Sequence, residues 1–239
     1  MESNNKPIEQ EIQYIIDAYE YLIRGIDQKA IGEKTRAYGG IIRAGKGKLV
    51  ESIAKNLIEF AWDLLGGTAG RLSFTHKVFK FPIKKEYIAE IKNPDVKKHI
   101  FDNIESYYYG FKPDVQVCID DKFVMGIECK SFTENAMFKR ILVDFTLLKL
   151  KYPELDCALL QLESQLGGDY GSLNDINWGS PSTHTLLSYF DINLHIITLL
   201  IGERKVDKPI HKTEFYKPLT KKALDKAIIN FRELLKKYR

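Results

Sequence analysis

The sequence predicts an α/β fold, a mixed central β-sheet flanked by helices, and three observations carry that prediction. Two neighbouring runs, 111–119 and 123–131, are short, rich in β-branched and aromatic residues, and separated by the polar triplet Asp120-Asp121-Lys122. Further strand-like runs occupy 72–81, 157–163 and 194–201. Between and around them lie segments of helical periodicity, so that the central part of the chain reads α-β-β-β-α-β.

Taken in order, Ile8, Ile12, Ile15, Ile16, Tyr19, Leu22 and Ile23 make an amphipathic helix in an N-terminal extension spanning 1–40, with 25–40 as its connection to the core. A second helix is expected at about 47–65, where Leu49, Ile53, Leu57, Phe60, Ala61 and Leu64 share a face, and Gly66-Gly67 ends it. One strand over 72–81 follows, then a helical or irregular connection at about 84–105. After the strand pair come a helix at about 134–150, the strand 157–163, a long polar loop 164–184 and the apolar strand 194–201. The segment 201–239 ends in a helix whose stripe is Leu219, Ala223, Leu224, Ala227, Ile228, Phe231, Leu234 and Leu235.

Burial selects the register of the strand pair. With a three-residue loop, Ile119 faces Phe123, Val117 faces Met125, Val115 faces Ile127, and Asp114 lies opposite Glu128. One face is then apolar throughout, and the other carries Asp114, Gln116, Gly126, Glu128 and Lys130. A two-residue loop would mix carboxylates into the buried set. The favoured register therefore gathers two carboxylates and an ammonium at one place.

Such a group suits hydrolysis of a phosphodiester, which is anionic and repels hydroxide unless its charge is neutralised. Hard oxygen ligands recruit Mg2+ for that purpose. Asp114, Glu128 and the backbone carbonyl of Cys129 are the candidate metal ligands, and Lys130 is placed to orient the attacking water or offset charge on the transition state. Pro113-Asp114, thirteen intervening residues and Glu128-Cys129-Lys130 resemble the signature of the PD-(D/E)XK nuclease superfamily. The resemblance covers about 43–200 and implies a restriction-endonuclease-like core. The stretch from Arg43-Ala-Gly-Lys46 to Glu51 resembles one found in some type II restriction endonucleases, and this implies Glu51 as a third acidic group, a ligand of a second ion or a hydrogen-bond partner for metal-bound water. An exposed carboxylate near a helix N-terminus is the alternative for Glu51.

Arg43, Lys46 and Lys48 are candidates for DNA phosphates, against a solvated basic turn. Gly40–Lys46 also fits the first seven positions of a phosphate-binding P-loop. That reading is rejected, because Gly47 stands where a Ser or Thr hydroxyl is needed and no clear strand feeds the loop. Base reading is expected from loop 164–184, through Gln165, Asp169, Asn174, Asn177 and His184, with Tyr170 or Trp178 stacking, and from Arg204 and Lys205 after the strand 194–201. A mobile surface loop is the alternative.

Composition sets the remaining bounds. A chain of 239 residues with 44% hydrophobic content can bury one core without an internal repeat or long linker, so a single domain is expected. The net charge of +4 permits nucleic acid without demanding it. No apolar run is long enough to span a membrane, and the N-terminus lacks the layout of a secretory signal, so a cytoplasmic protein is expected. Cys118, Cys129 and Cys157, with the five scattered histidines, have neither disulfide nor zinc spacing.

The expectation from sequence is thus a type II restriction endonuclease that cuts duplex DNA with Mg2+, leaving 5′-phosphate and 3′-hydroxyl ends. A homodimer and a companion DNA methyltransferase are expected with it. The alternatives are a repair or junction-resolving nuclease on the same core, and a DNA-binding module of the same fold without catalysis.

Overall fold

The computed structural model describes residues 5–30, 36–172 and 178–239, without the side chains of 5–7, 26–30, 36–44 and 169. Its helices are α1 (Asn5–Ala30), α2 (Arg36–Leu64), α3 (Lys85–Glu90), α4 (Pro94–Asp102), α5 (Asn135–Lys151), α6 (Pro181–Leu187) and α7 (Lys221–Leu235). Its strands are β1 (Leu72–Thr75), β2 (Phe79–Pro82), β3 (Tyr108–Phe111), β4 (Val115–Ile119), β5 (Lys122–Glu134), β6 (Asp156–Gln165) and β7 (Leu194–Thr198). The central sheet has the order β1-β4-β5-β6-β7, while β2 and β3 pair with each other in a separate ribbon. The first two central ladders are antiparallel and the last two parallel, the mixed sheet that the sequence predicted. The parallel β5-β6 step is crossed by α5, as parallel neighbours require.

Helices pack on both faces. On one, Val115, Val117, Met125, Ile127 and Leu160 of the sheet meet Ile53, Leu57 and Ala61 of α2 and Leu224, Ile228 and Phe231 of α7. The apolar stripe of α1, with Ile12, Ile15, Tyr19 and Ile23 buried, closes this core, and Tyr19 Oη donates to Lys217 O at 2.7 Å. On the other face, Phe138, Ile141, Leu142 and Phe145 of α5 meet Leu159 of β6 and Phe79 and Phe111 of the ribbon. Each buried side chain of this kind contributes roughly 1.5–3 kcal/mol, so either layer is indispensable.

The β4-β5 turn differs from expectation. It contains two residues, Asp120 and Asp121, with φ of 50° and 62°, the backbone of a type I′ hairpin. Ile119 accordingly pairs with Lys122 and Cys118 with Phe123. A bulge at Val124 then absorbs one residue, so that Val117 pairs with Met125 and Val115 with Ile127 as burial requires.

The run 72–81 is two strands. The Gln116 side chain divides them: its Oε1 accepts from Lys77 N at 2.9 Å and its Nε2 donates to Lys77 O at 2.7 Å. A side-chain amide thus occupies both backbone groups of Lys77 and ends the β1-β4 ladder. The expected connection at 25–40 is largely helical, since α1 runs to Ala30 and α2 starts at Arg36. Helix α2 passes through Arg43–Lys48, so neither a basic turn nor a P-loop exists there, and packing of Val50 and the residues beyond it outweighs the helix-weakening glycines.

Candidate active site

The site grows from the register of β4 and β5. One position before the Val115–Ile127 pair, Asp114 comes level with Glu128, and Lys130 stands two residues further along the same strand face. Lys130 Nζ donates to Asp114 Oδ2 at 2.7 Å and to Glu128 Oε2 at 2.5 Å, and Cys129 N donates to Asp114 Oδ2 at 2.8 Å. The second oxygens of the two carboxylates carry none of these bonds. Gly126 lies one step before them, where a Cβ would stand 3.1 Å from a ring carbon of Phe145. A bare backbone there lets α5 cover the sheet beside the carboxylates.

Burial decides the electrostatics. The Glu128 side chain is only 7% exposed, against 27% for Asp114 and 28% for Lys130. Desolvation pushes the Glu128 carboxyl up to about 7, although Lys130 pulls the other way. Desolvation also opposes the charge on Lys130, but the two carboxylates outweigh it and raise its pKa. The two directions agree physically: burial disfavours the charged form of Glu128, while two nearby carboxylates favour the charged form of the one ammonium between them.

A further carboxylate escaped the sequence reading. Asp144 of α5 is buried, accepts from Tyr109 Oη at 2.6 Å, and adds to the upward shift on Glu128. Its only sequence signal was a charged residue on the apolar face of a predicted helix. Among the described residues no group of three His, Cys, Asp or Glu side chains is placed to hold a metal ion. Helix α2 packs on the face of β5 that carries Cys129, and Glu51, together with Asp114, Lys130 and Glu128, acts electrostatically on the Cys129 thiol.

A second polar cluster gathers residues that the sequence assigned to DNA. Lys46 is 8% exposed rather than solvated, and burial, reinforced by Arg204 and opposed by Glu163, brings its pKa down to about 8. Glu163 is itself buried and lies 2.8 Å from Lys217 Nζ. The Arg204 guanidinium stacks 3.8 Å from the Phe132 ring centroid and donates to Gln165 Oε1. Lys48 and Lys205 are exposed, as is His184, whose Nε2 lies 2.6 Å from Trp178 O.

Tyr170 requires a correction. It is 6% exposed and belongs to the core beneath α5, which leaves no free ring face for a base to stack on. The loop around it is fastened, with Ser180 Oγ donating to Leu166 O at 2.9 Å and Gly202 N donating to Gly171 O at 2.8 Å. Gly179 has φ of 68°, and a Cβ there would lie 2.6 Å from Tyr170 Oη. Trp178, by contrast, is 69% exposed. The side chains of Arg43 and Asp169, and residues Asn174 and Asn177, lie outside the described residues.

Comparison with known proteins decides the family. The chain is 48% identical over 232 residues to the type II restriction enzyme DdeI of Desulfomicrobium norvegicum, covering 95% of this chain and 97% of that enzyme. The chain belongs to that family of type II restriction enzymes. It is accordingly a site-specific deoxyribonuclease. No family model matches the enzyme. Among solved structures, the native BbvCI A2B2 tetramer at low resolution is matched over 98% of this chain and 90% of that one, at 13% identity and a TM-score of 0.38, a likeness too slight to carry an argument. Among the described residues of the enzyme, no helix is long and apolar enough to cross a membrane.

Proposed function

We propose that the enzyme hydrolyses phosphodiester bonds of duplex DNA at a short specific sequence, with Mg2+, at the site formed by Asp114, Glu128 and Lys130. The convergence of two carboxylate oxygens within 2.7 Å of one ammonium, at the mouth of a hairpin, carries the proposal. The donor set fits a hard divalent cation: Asp114, Glu128 and the Cys129 carbonyl would hold it. When bound, the ion would neutralise charge on the scissile phosphate.

The chain's own groups supply the rest. Cys129 N fixes the Asp114 carboxylate by its 2.8 Å hydrogen bond. Lys130, held charged by its neighbours, is placed to orient the attacking water and to offset the negative charge that grows on the phosphate oxygens. The water oxygen forms a bond to phosphorus while the bond to the 3′ oxygen breaks, giving 5′-phosphate and 3′-hydroxyl ends. Gln165 and Arg204, paired with each other, are proposed to read bases, with His184, Lys48 and Lys205 on DNA. Two copies related by a two-fold axis would place one site on each strand of a palindromic or nearly palindromic target, and a DNA methyltransferase of matching specificity would protect the host.

The test is incubation of the purified enzyme with a long, fully sequenced duplex, with Mg2+ or with chelator, followed by mapping of the ends. Discrete Mg2+-dependent fragments sharing one short sequence support the proposal. Structure-dependent nicking would favour a junction-resolving or repair activity instead.

A further inference from the structure

The β2-β3 ribbon was invisible as a unit in the sequence, and nothing in the proposed chemistry uses it. Its pairing places Phe79 opposite Phe111, Lys80 opposite Gly110, Phe81 opposite Tyr109 and Pro82 opposite Tyr108. Strand alternation then defines two faces. The inner one anchors the ribbon through buried Phe79 and Phe111, with the Phe79 ring 5.0 Å from Phe123 and Tyr109 bonded to Asp144. The outer one presents Val78, Lys80, Pro82, Tyr108, Gly110 and Lys112, every one exposed.

Charge on this ribbon is one-sided. Residues 76–85 and 106–113 contain Lys77, Lys80, Lys84, Lys85 and Lys112 and no Asp or Glu, in a chain with 32 acidic residues. Lys80 Nζ is seated 4.1 Å from the centroid of the Tyr108 ring, which keeps its charge on the outer face. Lys112 is two residues before Asp114, so their Cα atoms are at most about 7 Å apart. With DNA advancing 3.4 Å per nucleotide along each strand, that spacing brings the ribbon within a few phosphates of the bond being cut.

We propose that the outer face of the β2-β3 ribbon, through Lys80 and Lys112, contacts phosphates of the duplex beside the cleavage site. This rests on the reading of Asp114, Glu128 and Lys130 as the site of DNA hydrolysis. The occupant is an extended polyanion, because an exposed face with two cations, a flat aromatic ring and no carboxylate offers nothing to bind a basic partner or to bury a large apolar one. Lysines act as point charges toward phosphate, so the contact adds affinity without base preference.

The experiment compares wild type with Lys80→Gln/Lys112→Gln and Lys80→Arg/Lys112→Arg, measuring affinity for a labelled duplex in chelator across a salt series. For the Gln pair, the slope of log affinity against log salt should become shallower by about 1.8, which is about 0.9 per lost phosphate contact. The Arg pair should keep the wild-type slope. Melting curves should coincide, since both lysines are exposed. Equal slopes for the Gln pair and wild type would overturn the proposal. Mg2+-dependent cleavage by wild type, measured in parallel, separates the outcomes: if wild type cuts and the slopes are equal, only the ribbon reading falls, whereas absence of cutting removes the reading of the site itself.

Discussion

Glu128 is predicted to make the metal-free enzyme less stable as pH rises through neutrality. Its carboxyl is raised from an ordinary 4.5 to about 7 in the folded chain, chiefly by desolvation. Between those values the folded state binds more protons than the unfolded state, so unfolding releases a proton and the free energy of unfolding falls with pH. The stabilising contribution is fully present below pH 4.5, declines through the window, and is lost above about 7. A displacement of that size corresponds to about 3 kcal/mol. Glu128→Gln removes the titrating group and retains its volume.

The assay is equilibrium denaturant unfolding in chelator from pH 5 to pH 8 for wild type and Glu128→Gln. The stability of wild type relative to the variant should fall by about 3 kcal/mol across that range. A divalent ion claims the same carboxylate as a charged group, so metal binding should release protons near pH 7 and become tighter as pH rises. A stability difference that is flat between pH 5 and pH 8 would refute the reasoning and show Glu128 to be ionised throughout by Lys130.

Other substitutions test neighbouring parts of the account. Glu51→Ala should lower single-turnover cleavage by more than a few-fold, as a ligand of a second ion or a partner of metal-bound water would require; a loss of only a few-fold would leave Glu51 a surface carboxylate of α2. Arg204→Ala should cost about 1–3 kcal/mol of discrimination between the target and single-base variants, read from relative cleavage rates. Equal discrimination would reduce Arg204 to its contacts with Phe132 and Gln165. Tyr170→Ala should destabilise the fold by about 3–5 kcal/mol in thermal or denaturant unfolding. A normally stable variant with weakened DNA binding would restore the stacking role that its burial removes.

The grouping of Asp114, Glu128 and Lys130 was legible in the sequence because burial constrains strand register more tightly than loop geometry does. The loop was read as three residues and is two, yet the pairing of Val115 with Ile127 holds because the bulge at Val124 corrects the phase. A left-handed Asp-Asp pair is a weaker turn signal than Asn-Gly, and a bulge has no sequence signature of its own. The ribbon was missed because the boundary between β1 and β2 is drawn by the Gln116 side chain from another strand. Long-range contacts equally hid Lys46, which reads as a surface residue in Arg-Ala-Gly-Lys and is buried beside Glu163, and Asp144, whose partner Tyr109 is 35 positions away. Tyr170 shows the converse error, an aromatic in a polar stretch taken for a surface group when its neighbours fold over it.

The most direct test of the central claim is single-turnover cleavage of a duplex containing the mapped target by wild type, Asp114→Ala and Lys130→Ala, with DNA binding measured on the same preparations. The account predicts Mg2+-dependent cutting by wild type and loss of cutting by both variants, each folded and still bound to the target. Cutting at the wild-type rate by either variant, or cutting by wild type in chelator, would contradict it.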